Sequence, residues 1–300
     1  MNIEMWAGVL AFLLVPFLVA TAALRVAHRA PAIAGSGVAG RARRTLDTCY
    51  AELGAVLSAI IAVLAGVAAT IGIMWILGKV AHALEGGVDE PVWRWFGDHQ
   101  NQGWTDAWWK ITNMGSPTVT QRLTMLGAVV MLVVWRKKLW WLPPAALVAG
   151  YVAEKYGQIL LKLVVDRGHP PHAAVKLGAV ADTFGTWPSG GCARVLVIYG
   201  LITYFALRAY RGGRSREAWV LGAAFVSLAL TVQAYARLNN MEHWFTDVVG
   251  GTIFGVLLLS VLIGGAEIIQ RGMARDRGVE EQTAQERADR PERSSLMLQD

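Results

Sequence analysis

Long apolar runs without a charged side chain constrain this chain more than any other feature. Residues 5–24, 53–78, 218–236 and 248–266 contain no Asp, Glu, Lys or Arg. Because a helix needs roughly 20 mostly apolar residues to cross the hydrocarbon core of a bilayer, each run is long enough, or nearly so, to span a membrane. The composition agrees: 54% of the residues are hydrophobic and 17% are charged, whereas soluble domains carry about 25% charged residues.

Three shorter apolar stretches complete the predicted bundle. They lie at 123–135, 139–153 and 195–207. Each reaches the length of a span if the charged residues at its ends snorkel or face the interior. The sequence therefore predicts an all-α, polytopic membrane helix bundle of seven spans. The expected spans are 6–25, 56–79, 121–137, 139–161, 188–208, 217–236 and 246–266.

Basic residues between the spans predict the topology. Clusters of Arg and Lys fall between spans one and two, three and four, and five and six, and after span seven. All of them lie on one side of the bundle, which the positive-inside rule assigns to the cytoplasm. We therefore expect a multi-pass protein of the cell membrane with its N-terminus outside and its C-terminus in the cytoplasm. The outward loops would be 80–120, 162–187 and 237–245.

The same clusters account for the net charge of +6. No basic stripe with base-stacking aromatic residues is present, so no nucleic-acid partner is expected. The chain divides into an N-terminal span (1–30), a Gly-rich cytoplasmic linker (31–52), a six-span core (53–268) and a tail (269–300). The tail mixes Arg with acidic residues and has no sustained apolar period, which is typical of a disordered or marginally helical cytoplasmic tail.

The clearest candidate for chemistry lies between the last two spans, on the outer side. Arg237, His243 and Asp247 follow one another with five and then three residues between them. On a helix, His243 and Asp247 share a face, so the carboxylate can hold one ring nitrogen and leave the other free to attack. Arg237 supplies a planar donor fork that suits a phosphate. The alternative interpretation is an interfacial cluster that anchors two helices.

Two further groups of residues lie on the same side. The fourth span ends in Lys162, Arg167 and His169, and the fifth begins with Pro188–Gly191, followed by Arg194. Small residues after a proline at a helix start leave backbone N–H groups bare, which favours an anion. Taken alone, the first group could be basic residues that snorkel to the headgroups, and the second a plain helix start.

Together these groups resemble the motifs of the type 2 phosphatidic acid phosphatase family, within the lipid phosphate phosphatase and haloperoxidase superfamily. The family patterns are Lys, six residues, Arg-Pro; then Pro-Ser-Gly-His; then Ser-Arg, five residues, His, three residues, Asp. Matches fall at Lys162, Pro170, Pro188, Ser189, Gly190, Arg237, His243 and Asp247. The resemblance covers about 56–266. It implies a six-span phosphatase-like core.

Three positions depart from the family patterns. His169 stands at the Arg of the first motif, Gly191 at the His of the second, and Ala236 at the Ser of the third. In the family, the second-motif His protonates the leaving oxygen, and loss of a general acid typically costs about 10²–10⁴ in rate. The sequence suggests a compensation in which Arg194 supplies the missing guanidinium and His169 or His172 supplies the missing proton.

The resemblance implies a role for each candidate residue. His243 would attack phosphorus and form a phosphohistidine, Asp247 would orient it, and His169 would serve as the acid. The phosphate-binding set is expected to comprise Lys162, Arg167, Ser189, Gly190, Gly191, Arg194 and Arg237. Neither a metal nor a cofactor is expected. The expected substrate is a phosphatidate, a phosphatidylglycerophosphate, or a polyprenyl phosphate or diphosphate in the outer leaflet.

Other functions stay open from the sequence. The departures also fit a degenerate site that binds a phospholipid without turnover, or a phosphotransferase that uses an acceptor other than water. A transporter could also place charges inside a membrane bundle, but the sequence contains no internal repeat of the kind many transporters show. The sequence predicts no particular oligomeric state.

Overall fold

A computed structural model describes residues 37–99, 102–135, 139–171, 184–210 and 215–289. Within these ranges the chain forms helices joined by turns and short loops, without a strand. The helices are α1 (Gly37–Ala83), α2 (Glu90–Asp98), α3 (Gln102–Thr112), α4 (Pro117–Val134), α5 (Leu142–Val165), α6 (Gly190–Ala209), α7 (Arg216–Asn239) and α8 (Phe245–Asp289). A π-helical turn over Val195–Tyr199 interrupts α6, and another, Glu85–Asp89, precedes α2. The predicted all-α membrane bundle is confirmed.

Five helices contain a segment that is long and apolar enough to cross a membrane. These segments are Glu52–Ala83, Pro117–Val134, Gly190–Ala209, Arg216–Asn239 and Phe245–Asp276.

Each of these segments overlaps a span predicted from the sequence. Helix α5 covers the predicted span 139–161 with 24 residues, but it is not among the five. Its charged residues Glu154, Lys155 and Lys162 lower its mean hydropathy. The predicted first span, 6–25, lies outside the described residues.

The polarity of the bundle is the reverse of that in a soluble protein. Large apolar side chains are exposed along α1, α4 and α7, among them Leu64, Met125 and Leu221. Charged side chains such as Glu154 and Asp247 are instead fully buried. An apolar exterior around a polar interior suits a lipid environment, and ionisable residues inside such a bundle are the first place to look for function.

Small residues allow the helices to approach closely around α5, which contacts α1, α4, α6 and α8. A Cβ added at Gly150 of α5 would lie 2.7 Å from Leu201 of α6. One added at Gly200 of α6 would lie 2.6 Å from Leu259 of α8. Packing through small residues is typical of membrane helices, and here it places α5, α6 and α8 side by side.

Two segments are helical where the sequence predicted a flexible linker and a disordered or marginally helical tail. Helix α1 begins at Gly37, and α8 continues to Asp289. The two extensions contact each other: the hydroxyl of Tyr50 lies 2.8 Å from the carbonyl oxygen of Gly272 and 2.5 Å from Oδ1 of Asp276. Residues of both extensions therefore contact a neighbouring helix. The apolar periodicity of the sequence did not indicate this contact. Residues 290–300 lie outside the described residues.

Two residues with left-handed backbone position the loops at one end of the bundle. Asp166 (φ 48°) follows the last residue of α5, and Met241 (φ 54°) lies in the turn between α7 and α8. The two turns meet, because the indole N–H of Trp244 donates to the carbonyl oxygen of Gly168 at 2.8 Å. The segments that carry the first and third motifs are thereby brought together.

Candidate active site

His243 lies two residues before the first residue of α8, and Asp247 lies in the first turn of that helix. Nδ1 of His243 is 3.5 Å from Oδ2 of Asp247 but only 3.0 Å from the hydroxyl oxygen of Thr186. The Thr186 hydroxyl in turn donates to the same Asp247 oxygen at 2.7 Å. The nearer partner of the imidazole is therefore Thr186, a residue that the sequence analysis did not include.

The electrostatics of His243 favour a neutral ring. Its side chain is almost completely buried, and burial lowers its pKa against the raising influence of Asp247. In the part of the chain that the structure describes, Nε2 of the ring makes no hydrogen bond. A neutral imidazole held at Nδ1, with Nε2 free, has the form required of a nucleophile.

Asp247 is fully buried, and each of its carboxylate oxygens accepts hydrogen bonds. Oδ1 accepts from Nη1 of Arg167 at 2.7 Å. Oδ2 accepts from the Thr186 hydroxyl at 2.7 Å and from the backbone N–H of Trp244 at 3.0 Å. Three groups donate hydrogen bonds to its oxygens, and none of the described residues accepts one from it. The side chain is therefore an ionised carboxylate.

Arg167 links this carboxylate to the segment between α1 and α2. Its guanidinium is fully buried and pairs with Asp89 as well as Asp247, and Nη1 also donates to the hydroxyl of Thr246 at 2.7 Å. Nε lies 3.5 Å from Glu85. Burial alone would lower the pKa of Arg167, but these carboxylates raise it. The sequence predicted a phosphate contact for Arg167; in the structure its two terminal nitrogens are taken by protein groups.

Arg237 lies directly against the backbone of Gly191. A Cβ at Gly191 would lie 2.7 Å from Nε and 2.9 Å from Nη2 of Arg237, and 2.6 Å from the side-chain nitrogen of Gln233. Nη1 of Arg237 pairs with Glu242, whereas Nε has no partner among the described residues. The glycine at the second-motif position thus makes room for the guanidinium, which keeps one buried N–H available for an anion.

Ser189 precedes α6 and is fully buried. Its backbone N–H donates to the carbonyl oxygen of Asp247 at 2.9 Å. A Cβ at Gly251 of α8 would lie 2.2 Å from the Ser189 carbonyl oxygen, and one at Gly190 would lie 1.9 Å from the side chain of Gln158. The segment around Ser189 and Gly190 is therefore packed closely against both α5 and α8. Oγ of Ser189 has no hydrogen-bond partner among the described residues.

Lys162 lies in the last turn of α5 and is half-buried. Its ammonium group is within electrostatic range of Asp247, Arg194, Arg237 and Glu154. The structure therefore brings the predicted lysine of the first motif to the arginine and the carboxylate of the third.

Arg194 points into the bundle from the first turn of α6. Its Nε donates to the carbonyl oxygen of Gly115 at 2.9 Å, and Nη1 lies 2.9 Å from Gln158 and 3.4 Å from Glu154. It is also within electrostatic range of Arg237. The structure thus places Arg194 beside the predicted phosphate ligands, but it also pairs Arg194 with Glu154, a buried carboxylate that the sequence analysis assigned no role.

His169 lies in the loop after α5, within electrostatic range of Lys162, His243 and Asp247. Burial, followed by the charge of Lys162, lowers the pKa of His169 to about 4, so the free protein carries a neutral imidazole here at neutral pH. Its Nδ1 is buried without a partner among the described residues. His172 lies outside the described residues.

Three residues that the sequence analysis missed complete the arrangement: Thr186, Asp89 and Glu242. Thr186 and Asp89 belong to none of the recognised motifs and lie far from His243 in sequence. Glu242 directly precedes His243 in the sequence, so its position near the site could have been predicted. Among the described residues, no group of three His, Cys, Asp or Glu side chains is placed to hold a metal ion.

Comparisons with known proteins agree with this architecture. Residues 138–266 match the sequence model of the PAP2 superfamily. The chain is similar in structure to the first transmembrane PAP2 type phosphatidylglycerolphosphate phosphatase from Bacillus subtilis, known from a crystal structure. The TM-score is 0.57 at 19% sequence identity, covering 68% of this chain and 96% of that chain. At this identity the likeness establishes a shared fold. No curated protein matches the chain in sequence.

Proposed function

We propose that this chain, whose residues 138–266 match the sequence model of the PAP2 superfamily, is an integral-membrane lipid phosphate phosphatase. The observation that carries the proposal is the imidazole of His243, whose Nδ1 lies 3.0 Å from the Thr186 hydroxyl and whose Nε2 has no hydrogen-bond partner among the described residues. Lys162 and Arg237 lie within electrostatic range of the ring. A phosphate ester bound between these cations would meet the free nitrogen.

The proposed reaction has two steps. In the first, Nε2 of His243 attacks phosphorus, the bond from phosphorus to the leaving oxygen breaks, and that oxygen takes up a proton as the dephosphorylated lipid leaves. In the second, water attacks the phosphohistidine, the nitrogen–phosphorus bond breaks, and inorganic phosphate is released. Asp247 keeps its negative charge throughout and stabilises the imidazole as charge develops on it.

The phosphoryl oxygens are proposed to bind Lys162, Arg237, Ser189 and the backbone N–H groups of Gly190 and Gly191. Two observations support this set. Oγ of Ser189 and Nε of Arg237 are buried without partners among the described residues, and an unpaired buried polar group costs about 1–3 kcal/mol unless a ligand satisfies it.

Two arginines of the predicted set are bound to protein groups in the structure. Arg194 would add a guanidinium from the α6 side, next to its contacts with Gln158 and Glu154. Arg167 would have to leave Asp89 or Asp247 to reach a phosphate. We therefore assign Arg167 to holding Asp247.

The proton for the leaving oxygen is proposed to come from the first-motif loop. His169 is neutral in the free protein because its pKa is lowered to about 4. A bound phosphate dianion would raise that pKa, because a nearby negative charge stabilises the imidazolium. Arg194 would then bind the phosphate, which is the role that the family gives to the first-motif Arg. His169 would protonate the leaving oxygen, which is the role of the second-motif His. The two residue types would have exchanged places between the motifs. His169→Ala and Arg194→Ala should each abolish phosphate release, and retained activity in both variants would refute the exchange.

The proposed substrate is a phosphomonoester or diphosphate of a phospholipid or polyprenyl lipid. Under the topology predicted from the basic loops, the site opens toward the outer leaflet, and the protein resides in the cell membrane with its N-terminus outside. A diphosphate would depend less on a general acid, because its leaving group is less basic than an alkoxide.

A second candidate function is binding of a lipid phosphate without turnover, or transfer of the phosphoryl group to an acceptor other than water. The observation that favours it is Gly191, which places no proton donor at the second-motif position. Binding would require the same cations and the Ser189 hydroxyl but not a free Nε2.

Phosphate release by the purified protein in detergent separates these functions. The substrates are phosphatidate and a polyprenyl diphosphate, each with EDTA present. The control variants are His243→Ala and, as a matched loss of an exposed histidine outside the site, His99→Ala. A phosphatase releases phosphate in the wild type and in His99→Ala but not in His243→Ala. A folded wild-type protein that binds both lipids without release supports the second function.

A further inference from the structure

Thr186 occupies a position between the nucleophile and its carboxylate that no motif of this chain predicts. It is fully buried in the segment before α6. Its hydroxyl oxygen is 3.0 Å from Nδ1 of His243 and 2.7 Å from Oδ2 of Asp247. We propose that the Thr186 hydroxyl, rather than direct contact with Asp247, is the positioning group that sets the tautomer and orientation of the His243 ring.

An inventory of protons gives the direction of each hydrogen bond. A threonine hydroxyl has a single proton, and an ionised carboxylate can only accept. Because Oδ2 of Asp247 lies within hydrogen-bond distance, the Thr186 proton goes to Asp247. The Thr186 oxygen can then only accept from His243, so the ring must carry its proton on Nδ1. That tautomer leaves the lone pair on Nε2, the form needed for attack on phosphorus.

The surroundings of Asp247 leave little room for a direct bond to the imidazole. Its two oxygens already accept from Arg167, Thr186 and the backbone of Trp244 at 2.7, 2.7 and 3.0 Å. The direct distance from Nδ1 of His243 to Asp247 is 3.5 Å, which is beyond the normal range for such a bond. Asp247 therefore acts on the ring through the threonine.

The backbone around Thr186 holds the hydroxyl in place. Its N–H donates to the carbonyl oxygen of Arg167 at 2.8 Å. A Cβ at the preceding Gly185 would lie 2.8 Å from both the Arg167 nitrogen and the Lys162 carbonyl oxygen. Thr186 thus joins the loop after α5, the segment before α6 and the start of α8. A shift in any of the three would be transmitted to the ring of His243.

This inference rests on the proposed phosphatase function for its kinetic consequence, but its hydrogen bonds can be tested separately. Thr186→Val removes the hydroxyl and keeps the shape, Thr186→Ala removes it without adding bulk, and Thr186→Ser keeps it. Thr124→Val is the matched control, because the Thr124 hydroxyl is also buried but donates only to a backbone carbonyl within α4.

The first readout is the imidazole nitrogen chemical shifts of His243 in ¹⁵N-histidine-labelled protein, assigned by their loss in His243→Ala. We expect a ring protonated at Nδ1 in the wild type, Thr186→Ser and Thr124→Val. We expect a mixture of tautomers in Thr186→Val and Thr186→Ala. Unchanged His243 shifts in both hydroxyl-free variants would overturn the inference, whether or not the protein is a phosphatase.

The second readout is phosphate release. Loss of the correct tautomer in a related arrangement costs up to about 10⁴ in kcat, so we expect kcat to fall about a hundred-fold or more in Thr186→Val, with little change in KM. Thr186→Ser and Thr124→Val should stay within a few-fold of the wild type. Wild-type kcat in Thr186→Val would overturn the inference, whereas a wild type that releases no phosphate contradicts only the proposed function.

Discussion

The guanidinium of Arg237 occupies the space that a side chain at position 191 would need. A Cβ on Gly191 would lie 2.7 Å from Nε of Arg237. The residue that replaces the second-motif histidine and the arginine of the third motif are therefore structurally coupled. Glycine at this position leaves the space that the ends of the Arg237 and Gln233 side chains occupy, in addition to being a departure from the family pattern.

Gly191→Ala tests this coupling. The added methyl group must displace the Arg237 and Gln233 side chains, which are the atoms nearest to it. Since a hydrogen bond to a charged group contributes about 1.5–3 kcal/mol, we expect the inhibition constant for inorganic phosphate to rise about ten-fold or more. Gly264→Ala is the matched control, because nothing lies within 4 Å of a Cβ there. Unchanged phosphate inhibition in Gly191→Ala would contradict the coupling.

The contact between Gly191 and Arg237 also predicts that replacing Gly191 with the histidine of the family pattern does not improve the site. Histidine at position 191 is larger than alanine and needs the space of the Arg237 guanidinium. We therefore expect Gly191→His to lower phosphate release below that of the wild type, when the two are assayed side by side. An increase would show that Arg237 can move without loss.

Glu242 pairs with Arg237 and would compete with the proposed phosphate substrate for it. Its carboxylate pairs with Nη1 of Arg237 and is partly exposed. A partly exposed ion pair is worth about 0.2–1 kcal/mol, and its negative charge opposes an incoming phosphate. We expect Glu242→Gln to lower KM about two- to five-fold. Glu90→Gln, which removes the carboxylate of an exposed pair with Arg94, should leave KM unchanged. A raised KM in Glu242→Gln would instead assign Glu242 to orienting Arg237 for binding.

Arg167 stabilises two buried carboxylates, so its loss should destabilise the fold. Removal of one partner from a buried ion pair costs about 3–5 kcal/mol, and here Asp89 and Asp247 would both lose their cation. We expect Arg167→Gln to lower the apparent melting temperature in detergent by several degrees. Arg94→Gln, which breaks an exposed pair with Glu90, should change it very little. Equal melting temperatures for Arg167→Gln and the wild type would contradict this role.

Local spacing predicted the part of the site that lies on one stretch of chain. His243 and Asp247 are four residues apart, and the structure places Nδ1 of His243 3.5 Å from Oδ2 of Asp247 although His243 lies before the first residue of α8. The spans were predictable for the same reason, since apolar length is a local property. Helix α5 also overlaps a predicted span, but it is not among the five most apolar segments, because its charged residues include groups that face the interior of the bundle, such as Glu154.

Contacts between distant segments could not be predicted in this way. Thr186 lies 57 residues before His243, and Asp89 lies 78 residues before Arg167. Only the packing of loops against the start of α8 brings them together. The choice between a disordered and a helical tail was open for a similar reason, because the contact of α8 with Tyr50 depends on the antiparallel approach of α1.

The most direct test of the account is to trap the phosphorylated enzyme. Wild-type protein is mixed with a ³²P-labelled phosphatidate or polyprenyl diphosphate, quenched with alkali within milliseconds, and digested for peptide mapping. If His243 is the nucleophile, an acid-labile, alkali-stable label forms on the peptide that contains His243, and this label is absent in His243→Ala. Release of phosphate with no label on any histidine-containing peptide in the wild type, or undiminished release from His243→Ala, would contradict His243 as the nucleophile.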